Sequence, residues 1–234
     1  MAEVGALTRD LLRLQAWLSP AFPIGGFSYS HGLEEAVAAA VVTDADGLFS
    51  WTEAVVGSGG GRVDAMLLVE VWRAVDIGEV TRLIRAAETG GAMRGTSELA
   101  IESTAQGEAF LETAQAAWPE DSVAAVIAEL EGAKLRTALP VAVGVVAACH
   151  DVPLEAVLPM YLQSFCAGIV SAGVRLIPLG QTDGQRVIAR LQPVVERAAS
   201  AAILAEFEDI GGASPVIDLA SMAHETRDGR LFRS

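Results

Sequence analysis

The sequence predicts an all-α protein: a single-domain helical bundle of roughly ten helices with a flexible C-terminal tail. Three observations carry this. Apolar residues recur at i, i+3, i+4 and i+7, most clearly at Val80, Leu83, Ile84 and Ala87. No run of four to eight residues alternates as a half-buried strand would. Of the 234 residues 52% are hydrophobic but only 6% aromatic, so alanine, valine and leucine carry the apolar content and permit close helix packing. The chain is long enough to bury a sizeable core.

The elements follow in order. Leu11, Leu14, Trp17 and Leu18 lie at helical spacing in a first helix, stopped by Ser19-Pro20. A second helix begins near Ser30 and runs through Leu33 and Val37. Asp44 or Asp46 caps a third, which turns Leu48, Trp51 and Val55 to one side. Ser58 to Gly61 forms a flexible break before a helical stretch from Met66 to Trp72. The helix at Val80 is stopped by Gly90-Gly91. A long helix runs from Thr96 to Trp118, and Asp121 or Ser122 caps the next, through Val123, Val126, Ile127 and Leu130. Pro140 and Pro153 stand where helix starts tolerate proline. Leu154 to Leu176 is a nearly all-apolar helix at the buried centre, which Pro159 either kinks or restarts. Val187, Leu191, Val194 and Val195 mark a further helix whose end near Pro193 is open. Residues 1–210 thus form the helical domain. From 211 to 234 glycine, proline and polar residues leave a loosely ordered tail.

Charge and hydropathy exclude several classes. Thirty acidic against sixteen basic residues give a net charge of −14, which argues against nucleic acid and against anionic membrane surfaces. Mean hydropathy is high at +0.40. The uncharged apolar stretch Thr137 to Cys149 is nevertheless short of the about 20 residues that span a bilayer. Charges at Glu3, Arg9, Asp10 and Arg13 interrupt any secretory leader. A cytoplasmic protein with reduced Cys149 and Cys166 is expected.

Little in the sequence points to catalysis. His31, Glu34 and Glu35 share a spacing that can converge on a metal, but there is no second His or Cys cluster to close a site. Glutamates at a helix N-terminus also favour the macrodipole without any ligand. Cys149 and His150 are adjacent and so point to different helix faces. Cys166 lies in the most apolar helix, where burial silences a thiol. There is no G-x-S-x-G elbow, and Gly57 to Gly61 lacks the lysine and hydroxyl of a phosphate loop. A binding protein therefore precedes an enzyme that would use His31 with Glu34 or Glu35, and a peripheral membrane protein comes third.

The stretch "LSPAFPIGGFSYSHGLEEAV", Leu18 to Val37, closely resembles the N-terminal signature of the UreF family of urease accessory proteins. Leu18, Ser19, Pro20, Pro23, Gly25, Phe27, Ser28, Tyr29, Ser30, Gly32, Leu33 and Glu34 match its pattern. "GRVDAMLL" (61–68), Gln106-Gly107, "VSAGVRLIPLGQTDGQ" (170–185) and the terminal "RLFRS" (230–234) are similar to later parts of the family. The departure lies between Arg94 and Ser103, where many members carry additional arginines.

The resemblance implies a non-catalytic helical adaptor, and few, scattered histidines with buried cysteines predict no cofactor and no tight nickel site on this chain. It implies a homodimer that binds UreD (also called UreH) and the GTPase UreG, so that the complex delivers nickel to the urease apoenzyme. In the opening segment, prolines and glycines fix the backbone around Phe22, Phe27 and Tyr29, and a preset aromatic surface binds at lower entropic cost. Phe27 and Tyr29 alternatively plug the first helix into the core. Together with the resemblance, this places partner contacts at Phe22, Phe27, Tyr29, Ser30, His31 and Glu34. In the tail they fall on His224, Arg230, Leu231 and Phe232.

Overall fold

Asp44 accepts the backbone N–H of Gly47 at 2.8 Å and starts one helix, and Thr96 accepts that of Leu99 at 3.3 Å and starts another. In the computed structural model, which describes residues 2–234, the order begins with α1 (Ala2–Trp17), α2 (Leu33–Ala38), α3 (Ala45–Gly57), α4 (Gly60–Asp76) and α5 (Val80–Ala92). It continues with α6 (Ser97–Ala117), α7 (Asp121–Gly132), α8 (Leu139–Cys149), α9 (Leu154–Leu176), α10 (Gln181–Leu204) and α11 (Pro215–His224). Two single 3-10 turns, Gly26–Ser28 and Phe207–Asp209, complete the secondary structure, and no strand occurs among the described residues.

The apolar period decides what is inside. α8 is buried almost throughout, from Pro140 to Ala147, and packs against α4 and α6. α9 and α10 lie together, with α3 and α4 beside α10. The main core joins Leu14, Trp17 and Leu33 to Leu68, Phe110, Leu158, Leu162 and Leu191. A smaller cluster around Val71, Leu83, Leu130 and Val145 fastens α5 and α7 to the α4–α8 pair. Each fully buried leucine of this kind contributes about 1.5–3 kcal/mol of transfer free energy. α6 approaches the start of α8 so closely at Gly107 that a Cβ there would stand 2.1 Å from the Thr137 carbonyl oxygen. That contact requires a glycine.

Several expectations are corrected. Gly90 and Gly91 do not break α5, which continues to Ala92. Gly90 is buried against Val141 and Leu67, so packing holds the helix despite poor propensity. Pro159 does not restart α9, nor does Pro193 end α10; both helices run on past their proline. Neither Asp121 nor Ser122 caps α7, whose N-cap is Glu120. The largest correction concerns 211–234. Pro215 begins a helix instead of preventing one, as its fixed φ suits the first helical turn, and the residues beyond it fold back onto the body. α9 is long and apolar enough to cross a membrane, and half of its most apolar window is buried in the bundle.

Candidate functional site: a clasp between the two ends of the chain

The opening segment is stiffened turn by turn. The Ser19 carbonyl accepts from Phe22 N and the Phe22 carbonyl from Ile24 N, at 3.0 and 2.8 Å. The 3-10 turn Gly26–Ser28 leads to an extended Tyr29. His31 then takes φ 54 and Gly32 φ 72, reversing the chain into α2. At Gly32 a Cβ would also meet the Ser221 backbone N at 3.0 Å, so glycine is needed twice over, for its dihedral and for the approach of α11.

What this segment grips is the C-terminus. Glu34 accepts the backbone N–H groups of Leu231 at 2.8 Å and Phe232 at 2.9 Å. The Ser28 carbonyl accepts from Arg233 N at 2.8 Å, and Ser30 donates its backbone N–H to the Ser234 carbonyl at 3.0 Å. The Ser30 hydroxyl meets the same carbonyl. Ser234 Oγ donates to Glu102 at 2.6 Å, and Arg227 pairs with Glu35 at 2.8 Å. Phe232 is 3% exposed, beneath the guanidinium of Arg175.

The N-terminus of α6 supplies the third side. Glu225 accepts from Ser97 Oγ at 2.6 Å and from Glu98 N at 3.2 Å, an acid placed where a helix offers free N–H groups. Thr96 and Ser221 share a hydroxyl contact of 2.8 Å. His224, 0% exposed, lies between Glu34 at 3.1 Å and Glu98 at 2.7 Å, and Arg230 holds the other oxygen of Glu98. Burial pushes the Glu34 carboxyl up, but the N–H groups of Leu231 and Phe232 together with His224 outweigh it and hold it below its ordinary value.

Beside the clasp lies a cavity of about 330 Å³ whose polar wall is His31, Asp64, Arg94, Glu102 and Tyr161. His31 reaches Glu102 at 3.1 Å and meets the Phe165 ring edge-on. Burial pulls the His31 ring down, yet Glu102 raises it above 6.5. Asp64 accepts from the Tyr161 hydroxyl at 2.7 Å and pairs with Arg94 at 2.7 Å. Burial and the Asp64 charge push the Tyr161 phenol well above its ordinary range. Burial lifts the Cys166 thiol to about 12, which leaves it without nucleophilic character.

The expected contact residues therefore divide. Phe22 plugs into the core against Phe110 and Trp118. Tyr29, Ser30, Glu34, His224 and Phe232 are buried, and His31 is half-buried. Phe27 and Leu231 stand open at 74% and 64% exposure. His31, Glu34 and Glu35 do not converge: the first turns to Glu102, the second to His224 and the tail, the third to Arg227. Among the described residues no three His, Cys, Asp or Glu side chains are grouped to hold a metal ion. Glu98, Glu102, Asp64, Ser221 and Ser234 were not anticipated; the one local signal was Glu98 and Glu102 at i, i+4 of a helix.

Fold and site define an all-helical protein whose two ends are fastened together by a buried ionic network. The UreF family model matches residues 42–192. A urease accessory protein UreF of Rhodopseudomonas palustris (strain HaA2) is 47% identical over 233 residues, covering 100% of this chain and 96% of the relative. The UreF of Bradyrhizobium diazoefficiens is 47% identical over 226 residues, 96% of this chain and 91% of its own. That of Granulibacter bethesdensis is 45% identical over 224 residues, 96% and 94% respectively. The chain belongs to the UreF family. The family model's match stops short of both halves of the clasp, whereas the Rhodopseudomonas relative is matched over 233 residues.

Proposed function

We propose that this chain is a non-catalytic adaptor of urease maturation. It joins UreD (UreH) to the GTPase UreG, as a homodimer, so that nickel reaches the urease apoenzyme without being held tightly on this chain. The observation that carries the reading is full-length similarity to proteins named urease accessory protein UreF. Exposed apolar groups next to the clasp support it. Phe27 and Leu231 project from its two halves, and Val216, Leu219 and Met222 are exposed on α11. Such groups are what a protein partner would cover. The clasp puts the opening segment and the C-terminal segment on one face, so a single partner can touch both.

Co-expression of urease with its accessory proteins, with and without this chain, tests the proposal through urease activity and nickel content. Nickel loading should fall sharply in its absence. Unchanged loading would overturn the reading. No observation favours an enzyme built on His31, Glu34 and Glu35, since these side chains point to three different partners.

A further inference from the structure

We propose that His224 closes the C-terminal strap, residues 225–234, as an imidazolium shared between Glu34 and Glu98, and that the strap loosens when the ring gives up one proton. The hydrogen count at this one buried ring calls for the charged form, with no partner protein involved. Nε2 faces a Glu34 oxygen at 3.1 Å and Nδ1 faces a Glu98 oxygen at 2.7 Å. A neutral imidazole has one N–H and one lone pair, so one of these contacts would set a lone pair against a carboxylate oxygen. The ring is 0% exposed, and solvent does not relieve such a clash.

A proton on either carboxylate would be the other solution, and the surroundings oppose it. The Glu34 oxygens already accept from Leu231 N and Phe232 N, and the second oxygen of Glu98 faces Arg230. The donors on Glu34 favour its ionised form, and it accordingly lies below the ordinary carboxylate range. The charges then balance. Glu34 of α2 and Glu98 of α6 face the imidazolium, and Arg230 of the strap is the second cation. Other charged groups of the clasp have partners of their own: Arg227 with Glu35, Glu225 with Ser97 and the Glu98 N–H, Glu102 with His31 and Ser234, and Arg175 over the Phe232 ring. Loss of the ring proton leaves buried Glu34 with no side-chain cation and Glu98 with Arg230 alone. The same Glu34 holds the strap's backbone, so the imbalance falls on the contacts at Leu231 and Phe232.

The test is made on the full chain. The ¹⁵N shifts of the His224 ring are followed with pH alongside hydrogen exchange at Leu231 and Phe232, corrected for intrinsic base catalysis. Both ring nitrogens should be protonated while the strap is protected. Protection at the two amides should fall about tenfold or more as the ring loses its charge, the size of one charge-assisted hydrogen bond. Core amides of α8 should not follow. His224→Gln should show weakened protection at both amides and no step with pH. A neutral ring beneath a fully protected strap would overturn the proposal, as would a pH step that persists in His224→Gln. Should that variant fold poorly, the wild-type titration decides alone.

Discussion

Glu34 accepts the backbone N–H groups of both Leu231 and Phe232, at 2.8 and 2.9 Å, so one carboxylate near the start of the chain fixes two successive peptide groups near its end. Backbone donors are satisfied in this way whatever side chains flank them, and the grip depends on the charge of one acid.

Glu34→Gln should therefore open the clasp while leaving the bundle folded. Hydrogen bonds to a charged group contribute about 1.5–3 kcal/mol each, and part of that is lost when the acceptor becomes neutral. Hydrogen exchange is the measurement: residues 224–234 should be protected in the wild-type chain and unprotected in the variant, with α8 protected in both. Rapid exchange of the wild-type segment would contradict the closed arrangement.

Acid should loosen the same contact. Glu34 is held below its ordinary value of 4.5, so its contribution is present above that pH and is lost as pH falls through the lower, folded value. His31 works in the opposite sense. Its ring lies above the ordinary 6.5, so the stabilisation from Glu102 is complete below 6.5 and disappears as pH rises through the folded value. Denaturant melts across a pH series should show both limbs. His31→Gln should flatten the alkaline limb at His31's share, and Glu34→Gln the acid one.

Gly107→Ala and Gly91→Ala should differ in sign. At Gly107 the new methyl would lie 2.1 Å from the Thr137 carbonyl oxygen, and α6 would have to move off α8 at a cost of about 3 kcal/mol. At Gly91 nothing lies within 4 Å and the residue is helical, so alanine should stabilise by about 0.5 kcal/mol. Melting midpoints of the two variants provide the comparison.

Phe27→Ser should leave stability within about 0.5 kcal/mol of wild type, because the residue is 74% exposed. Pull-down with UreD and UreG should nevertheless show weaker complex formation. Unimpaired assembly would remove Phe27 from the contact surface.

The helices were legible because their period is local: Val80, Leu83, Ile84 and Ala87 need only one another to be recognised. Gly90-Gly91 misled because its helicity comes from Val141 and Leu67, on other helices. The clasp was hidden for a related reason. Glu98, Arg227 and Arg230 look like solvated helix and tail residues, and their partners stand about 130 to 190 positions away. The segment Leu18 to Val37 was conspicuous through its prolines, glycines and aromatic residues. What shapes it, the passage of Gly32 beneath Ser221, has no mark in the sequence.

The contact of Ser30 with Ser234 spans 204 positions, and this sets an order of events at the ribosome. The opening segment is finished early but cannot be fastened until Ser234 has emerged. At about 5–20 residues per second that delay is roughly 10–40 s. The helices between have the whole interval to assemble, so closure of the clasp follows synthesis of everything from Ser30 to Ser234. Until residues 231–234 arrive, Glu34 lacks both of its backbone donors and Glu102 lacks the Ser234 hydroxyl, so the two acids wait unfilled on the nascent fold.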